Sequence, residues 1–149
     1  MSLSVLDEIM CFPLKQISTR GGKVLHGIKS DDEGFVSFGE AYFSSIDYGV
    51  VRAWKKHSRM VSNLIVPYGQ VLFVFFDPSI ERYREELVGG NRYIRLTVPS
   101  NIWFGFMGAG QGENIIFHCA NISHDDAEVE VREKQAFDYH WKVPEKRIG

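Results

Sequence analysis

Lys55 and His57 stand two residues apart in the run Gly49-Val50-Val51-Arg52-Ala53-Trp54-Lys55-Lys56-His57. Successive side chains of an extended strand alternate between its faces, so this pair leaves the same face. An amine beside an imidazole suits removal of a proton from carbon, with the cation holding the oxyanion that develops. The polar run Lys56-His57-Ser58-Arg59 also admits a plainer reading, with both groups in solvent. Arg52 carries the planar fork that clamps a diphosphate, or is an ordinary strand-end arginine. His118 breaks the apolar stretch Ile115-Ile116-Phe117. A buried, hydrogen-bonded core histidine fits that place first, and an acid or base second. Trp103, Phe104 and Phe106 offer flat faces to a base or sugar ring, although aromatic side chains on sandwich strands more often fill the core. Asn63 joins these as a polar candidate for substrate contact. His26, His124 and His140 fall in loops or at edges and carry no assigned role.

The elements that must position these groups are strands. Apolar residues recur with a period of two and are broken by turn residues at short intervals. Such runs cover Cys11 to Ile17, Val24 to Ile28, Phe35 to Phe43 with a bend at Gly39, and Val50 to His57. Asn63 to Val66 and Val71 to Asp77 flank Pro67-Tyr68-Gly69-Gln70, which reads as a hairpin turn. Tyr93 to Val98 ends at Pro99-Ser100-Asn101, and Ile102 to Met107 pairs with Asn114 to Asn121 across the loop Gly108 to Gly112. Glu81 to Leu87 is the one stretch that predicts a helical turn or two. Ser123 to Lys134 is densely charged and predicts a solvated connection, after which Phe137 to Trp141 returns three aromatics to the body. Eight to ten short strands with no strong helix predict an all-β jelly-roll sandwich, a single domain over 1–149.

Composition narrows the function classes. The chain has 149 residues, 44% of them hydrophobic and 13% aromatic, enough to bury a core and too apolar for a disordered chain. A net charge of −2 offers no basic footprint for nucleic acid. The longest apolar run, Val71 to Phe76, is too short to cross a bilayer as a helix. No secretory leader is legible, and Cys11 and Cys119 form neither a CxxC pair nor a disulfide framework, so the expectation is a reduced, cytoplasmic protein.

Gly49 ahead of Lys55 and His57, with Gly69 in the hairpin that follows, resembles the first motif of the cupin (double-stranded β-helix) fold. There a His-x-His pair and a later carboxylate bind metal, and a third His follows a Pro-containing turn. In this chain Lys55 takes the first His position, His57 the second, Val61 or Ser62 the carboxylate, and Phe104 the third His. A catalytic metal needs about three donors of imidazole, thiolate or carboxylate type, so the expectation is a site with no metal and no cofactor.

A longer stretch, roughly residues 20 to 141, resembles the dTDP-4-dehydrorhamnose 3,5-epimerase family. The matching segments are Glu33 to Ser44, Val51-Arg52-Ala53-Trp54, Gly69 through Asp77, Val98-Pro99 through Phe106, and Phe137-Asp138-Tyr139-His140-Trp141. The family's catalytic His falls on Lys55, and its Tyr falls near Asn121-Ile122-Ser123, where there is no phenol. The Trp-Lys-x-His strand and Ile-Trp-Phe turn are similar to sugar-biosynthesis relatives within that family. The resemblance implies a nucleotide-linked 4-keto-6-deoxyhexose as ligand, epimerisation or isomerisation in surface-polysaccharide precursor synthesis, and a homodimer that exchanges a strand near Phe35 to Phe43. It places Glu40 and Tyr42 at the ligand. For that chemistry Lys55 is the base, or else stays charged and holds the enolate with His57 as base, and His118 is the candidate for the opposing acid. A pocket that binds sugar nucleotides without chemistry, as a sensor or accessory subunit, is the alternative.

Overall fold

The computed structural model describes residues 4–145. Twelve strands run in chain order: β1 Met10–Pro13, β2 Gln16–Thr19, β3 Gly22–Leu25, β4 Glu40–Asp47, β5 Val51–His57, β6 Ser62–Tyr68, β7 Gln70–Asp77, β8 Arg82–Gly89, β9 Ile94–Val98, β10 Trp103–Gly108, β11 Glu113–Ala120 and β12 Val129–Val131. Two antiparallel five-stranded sheets, β1-β9-β6-β11-β4 and β12-β5-β10-β7-β8, face each other as a jelly roll. β2 and β3 form a separate hairpin.

Period-two patterning explains what each face buries. On β7, Val71, Phe73 and Phe75 point between the sheets and meet Leu64, Val66, Leu96 and Ile116. Each such side chain taken from water stabilises the fold by about 1.5–3 kcal/mol. The other face of β7, Leu72, Val74 and Phe76, packs with Trp54, Trp103 and Met107 beneath Phe137, Tyr139, Trp141 and Val143 of the C-terminal segment. Both faces of β7 are therefore covered, which is why its sequence is a continuous apolar run.

The stretch Glu81 to Leu87 is strand, not helix. Its good helix formers are overridden because β8 pairs residue by residue with β7, from Gln70 opposite Gly89 to Asp77 opposite Arg82. Tyr83 and Leu87 alternate onto the aromatic side of that sheet. The run Phe35 to Phe43 also shifts, since strand begins only at Glu40 and continues to Asp47. Cys11 to Ile17 divides between β1 and β2. The charged segment 123–134 is not simply a solvated connection. It holds a short turn, Asp126–Glu128, and then β12, which pairs with β5 through Val129 opposite His57 and Val131 opposite Lys55.

Candidate active site

Between the sheets lies a cavity of about 380 Å³ whose lining includes Tyr42, Arg52, Lys55, Phe104, Phe106 and His118. Leu64, Phe73 and Ile116 complete an apolar floor, and exposed Tyr42 and Val131 stand among its lining.

β5 brings its polar groups to this cavity through an irregularity. Arg52 pairs with Phe106 and Lys55 with Phe104, so three residues of β5 span two of β10. A regular strand would send Arg52 and Lys55 to opposite faces, whereas a bulge re-aims one of them. Gly105 makes room for it, because a Cβ there would lie 2.5 Å from that of Ala53. Trp54 is turned the other way into the aromatic layer, 1% exposed, where its indole N–H donates to the Lys134 carbonyl at 3.1 Å.

His57 is buried beside the cavity, its ring 6.2 Å from that of Phe104. Its Nδ1 lies 2.5 Å from Glu128 Oε1, while Nε2 is buried with no hydrogen-bond partner. Glu128 is itself 4% exposed, and its Oε2 accepts the backbone N–H groups of Arg59 and Met60 at 3.1 Å each. Burial alone would raise the Glu128 carboxyl, but the bonds from His57 and the two amides outweigh it and hold it below the usual range. A carboxylate so fixed orients the imidazole.

On the opposite sheet His118 makes two bonds, Nδ1 to Tyr42 Oη at 2.7 Å and Nε2 to Ser62 Oγ at 2.9 Å. Burial, with lesser contributions from Lys55 and His57, lowers its pKa to about 4. The ring is therefore neutral near pH 7, one nitrogen donating and the other accepting, so Tyr42 and Ser62 share one relay in either tautomer. Burial and then Glu40 raise the Tyr42 phenol, which keeps it protonated as a donor. Burial first, and Arg52 second, push Lys55 below its usual range, while Glu128 pulls the other way.

Not every sequence candidate reaches the cavity. Asn63 points to the outer side of its sheet, where with Thr97 it accepts from the buried Arg95 guanidinium and donates to the Gly34 carbonyl. Trp103 lies in the aromatic layer, with Lys56 and Arg132 over its ring. Glu40 is half-buried beside Tyr42 and does not line the cavity. Glu128 and Ser44 are polar groups that sequence reasoning did not bring to the site, and Ser62, read there only as a substituted metal-ligand position, bonds His118 instead. For Glu128 the one available signal was the alternation Glu128-Val129-Glu130-Val131, a strand inside a charged stretch. Among the described residues no three His, Cys, Asp or Glu side chains converge as a metal-ion site.

The solved structures most similar to this fold include a dTDP sugar isomerase from Desulfovibrio desulfuricans G20. It is 31% identical, covers 95% of each chain, and has a TM-score of 0.87. The chain belongs to the RmlC-like cupin family of nucleotide-sugar epimerases and isomerases. This RmlC-like cupin also shares its fold with the 3,5-epimerase RmlC from Legionella pneumophila Philadelphia 1, solved with dTDP-4-keto-L-rhamnose. That likeness has 16% identity, covers 94% of this chain and 81% of the other, and has a TM-score of 0.76. The sugar 3,4-ketoisomerase QdtA from Thermoanaerobacterium thermosaccharolyticum, solved with TDP, is 15% identical over 82% of this chain and 86% of its own, with a TM-score of 0.70. No protein-family model and no curated protein matches the sequence.

Proposed function

We propose that the protein is an epimerase or isomerase that moves a proton on a carbon next to the ketone of a nucleotide-linked 4-keto-6-deoxyhexose. One observation carries this reading: Lys55, His118 and Tyr42 line a single largely apolar cavity, and the buried His57–Glu128 pair stands beside it, next to the cavity residue Phe104. His57 Nε2 takes the proton, with Glu128 balancing the charge that the ring gains. Tyr42, relayed through His118 and Ser62, returns a proton from the other wall. Phe104 and Phe106 shape the walls against the sugar, and the exposed Arg52 receives the diphosphate with its fork. Lys55 stands where the ketone oxygen enters.

The neighbour solved with dTDP-4-keto-L-rhamnose supports the substrate class. No reacting role is assigned to a metal or an organic cofactor. We place the protein in the cytoplasm, in keeping with two free cysteines, and as a homodimer built on the exposed β4 side. The test is incubation with TDP-4-keto-6-deoxyglucose in deuterated water, followed by proton NMR of the sugar. Deuterium at a carbon flanking the ketone is the expected result. Binding without exchange would make this a non-catalytic sugar-nucleotide module.

A further inference from the structure

Lys55 and Lys56 are neighbours with opposite circumstances. Lys56 pairs with Glu130 at 3.5 Å and lies over the Trp103 ring, on the outer face of its sheet. Lys55 faces the cavity, and no carboxylate forms an ion pair with it among the described residues. Around it stand Leu64, Phe73, Phe104, Phe106 and Ile116, walls that solvate an ammonium poorly. The charged or titratable groups facing it are Arg52 on its own strand, Glu128 and His57 on one side, and His118 with Tyr42 across the cavity. A primary amine that faces a largely apolar cavity, with no carboxylate paired to it, is a nucleophile toward a ketone in its unprotonated form.

We propose that Lys55 forms a protonated imine with the 4-ketone of the bound sugar, and that the protein's proton transfers take place on this imine rather than on the free ketone. This rests on the substrate class proposed above. The amine lone pair adds to the carbonyl carbon, and a proton passes from nitrogen to oxygen to give a carbinolamine. A second proton on that oxygen lets water leave as the C=N⁺ bond forms. His57 Nε2 then takes the proton from the adjacent carbon. The C–H electron pair becomes a C=C bond, and the C=N π pair returns to nitrogen as a neutral enamine. Reprotonation of that carbon from the Tyr42 side restores the imine with inverted configuration. Water adds back and releases the ketone and Lys55. The proton used to expel water is returned when water adds back, and His57 gives its proton to solvent while the Tyr42 relay regains one from it, so electrons, protons and water balance and no oxidant or reductant is consumed.

The same chemistry selects between two outcomes. In ketone migration the enamine carbon bearing a hydroxyl would become the new carbonyl. The nitrogen would then be left on C4 as a secondary amine, which water does not cleave, and Lys55 would be blocked after one turnover. Imine chemistry therefore assigns the protein to epimerisation beside C4, and not to ketone migration.

The experiment is to trap the imine by adding sodium cyanoborohydride to the full chain with TDP-4-keto-6-deoxyglucose near neutral pH. Digestion and mass spectrometry should find the Lys55 peptide heavier by the sugar nucleotide less one oxygen. Lys55→Arg, which keeps the charge and cannot form an imine, should lose both the adduct and deuterium uptake. His57→Asn should keep the adduct while deuterium uptake falls. Uptake by the wild type with no adduct at Lys55, or uptake by Lys55→Arg at the wild-type rate, overturns the imine and leaves the proposed function standing. A 3-keto sugar as product overturns it equally. No binding of the sugar nucleotide by calorimetry overturns the substrate class, and the imine with it.

Discussion

Glu128 holds His57 from a segment outside the strands that frame the cavity: its Oε1 lies 2.5 Å from His57 Nδ1, and its Oε2 takes the amides of Arg59 and Met60. One carboxylate thus fixes the imidazole and the chain that leaves β5. His57 Nε2 is buried with no hydrogen-bond partner, and in the proposed function it is the atom that meets substrate.

Replacing Glu128 by Gln keeps the shape but removes the charge and sets an amide NH₂ against groups that donate. Turnover should fall about 10²–10⁴-fold, the range for a general base, with KM little changed because no binding contact is lost. Stability should fall by about 1–3 kcal/mol from the mismatched buried donors. Steady-state kinetics beside denaturant unfolding checks both. An unaltered kcat would remove Glu128 from the mechanism.

His118 sets an acid limit on the fold. Its folded pKa of about 4 lies below its ordinary value of 6.5, so the unfolded chain binds the proton more readily. The stability associated with the neutral ring is full above pH 6.5 and is lost as the pH falls toward 4. The loss is up to about 3 kcal/mol at about 1.4 kcal/mol per pH unit. Denaturant midpoints taken from pH 7 to 4 should fall less steeply for His118→Asn than for the wild type. Parallel slopes would mean that His118 protonates freely in the folded state.

Strand positions were legible because period-two patterning carries them, but two pairings were not: Asn63 to Val66 and Val71 to Asp77 fall in different sheets, as do Ile102 to Met107 and Asn114 to Asn121, because the turns between them cross from one sheet to the other. Arg52 was ambiguous, since its orientation depends on a bulge set by Gly105 on the neighbouring strand. Glu128 was hidden because charges on either side of it disguise a residue that tertiary pairing buries. The Glu81 to Leu87 stretch misled because helix formers line a strand held by β7. Asn63 and Trp103 sit on well-read strands, yet strand identity does not say which face a ligand uses.

Asn63 is accordingly a test of that distinction. It shares the Arg95 guanidinium with Thr97, and Arg95 is 2% exposed with no carboxylate bonded to it. Asn63→Ala should cost about 1–3 kcal/mol of stability by taking an acceptor from a buried cation. KM for the sugar nucleotide should not change. A raised KM with unchanged stability would return Asn63 to the binding site.

The exposed side of β4 concerns assembly. β4 is the last strand of its sheet, and Phe43 on its outer face is 69% exposed, tilted against Phe117 at 5.1 Å. Phe38, just before the strand, is 68% exposed. An open strand edge beside bare aromatics invites pairing with another copy, because both backbone groups and apolar surface remain to be satisfied. A dimer formed there places the partner beside Tyr42, whose side chain alternates to the cavity face while Phe43 faces out. Light scattering at micromolar concentration should give twice the chain mass for the wild type. Phe43→Glu should shift it toward the monomer, since a carboxylate in an apolar contact has no partner there. If turnover falls only when the dimer dissociates, the partner completes the cavity mouth. A monomeric wild type, or a Phe43→Glu variant that stays dimeric, would rule this surface out as the interface.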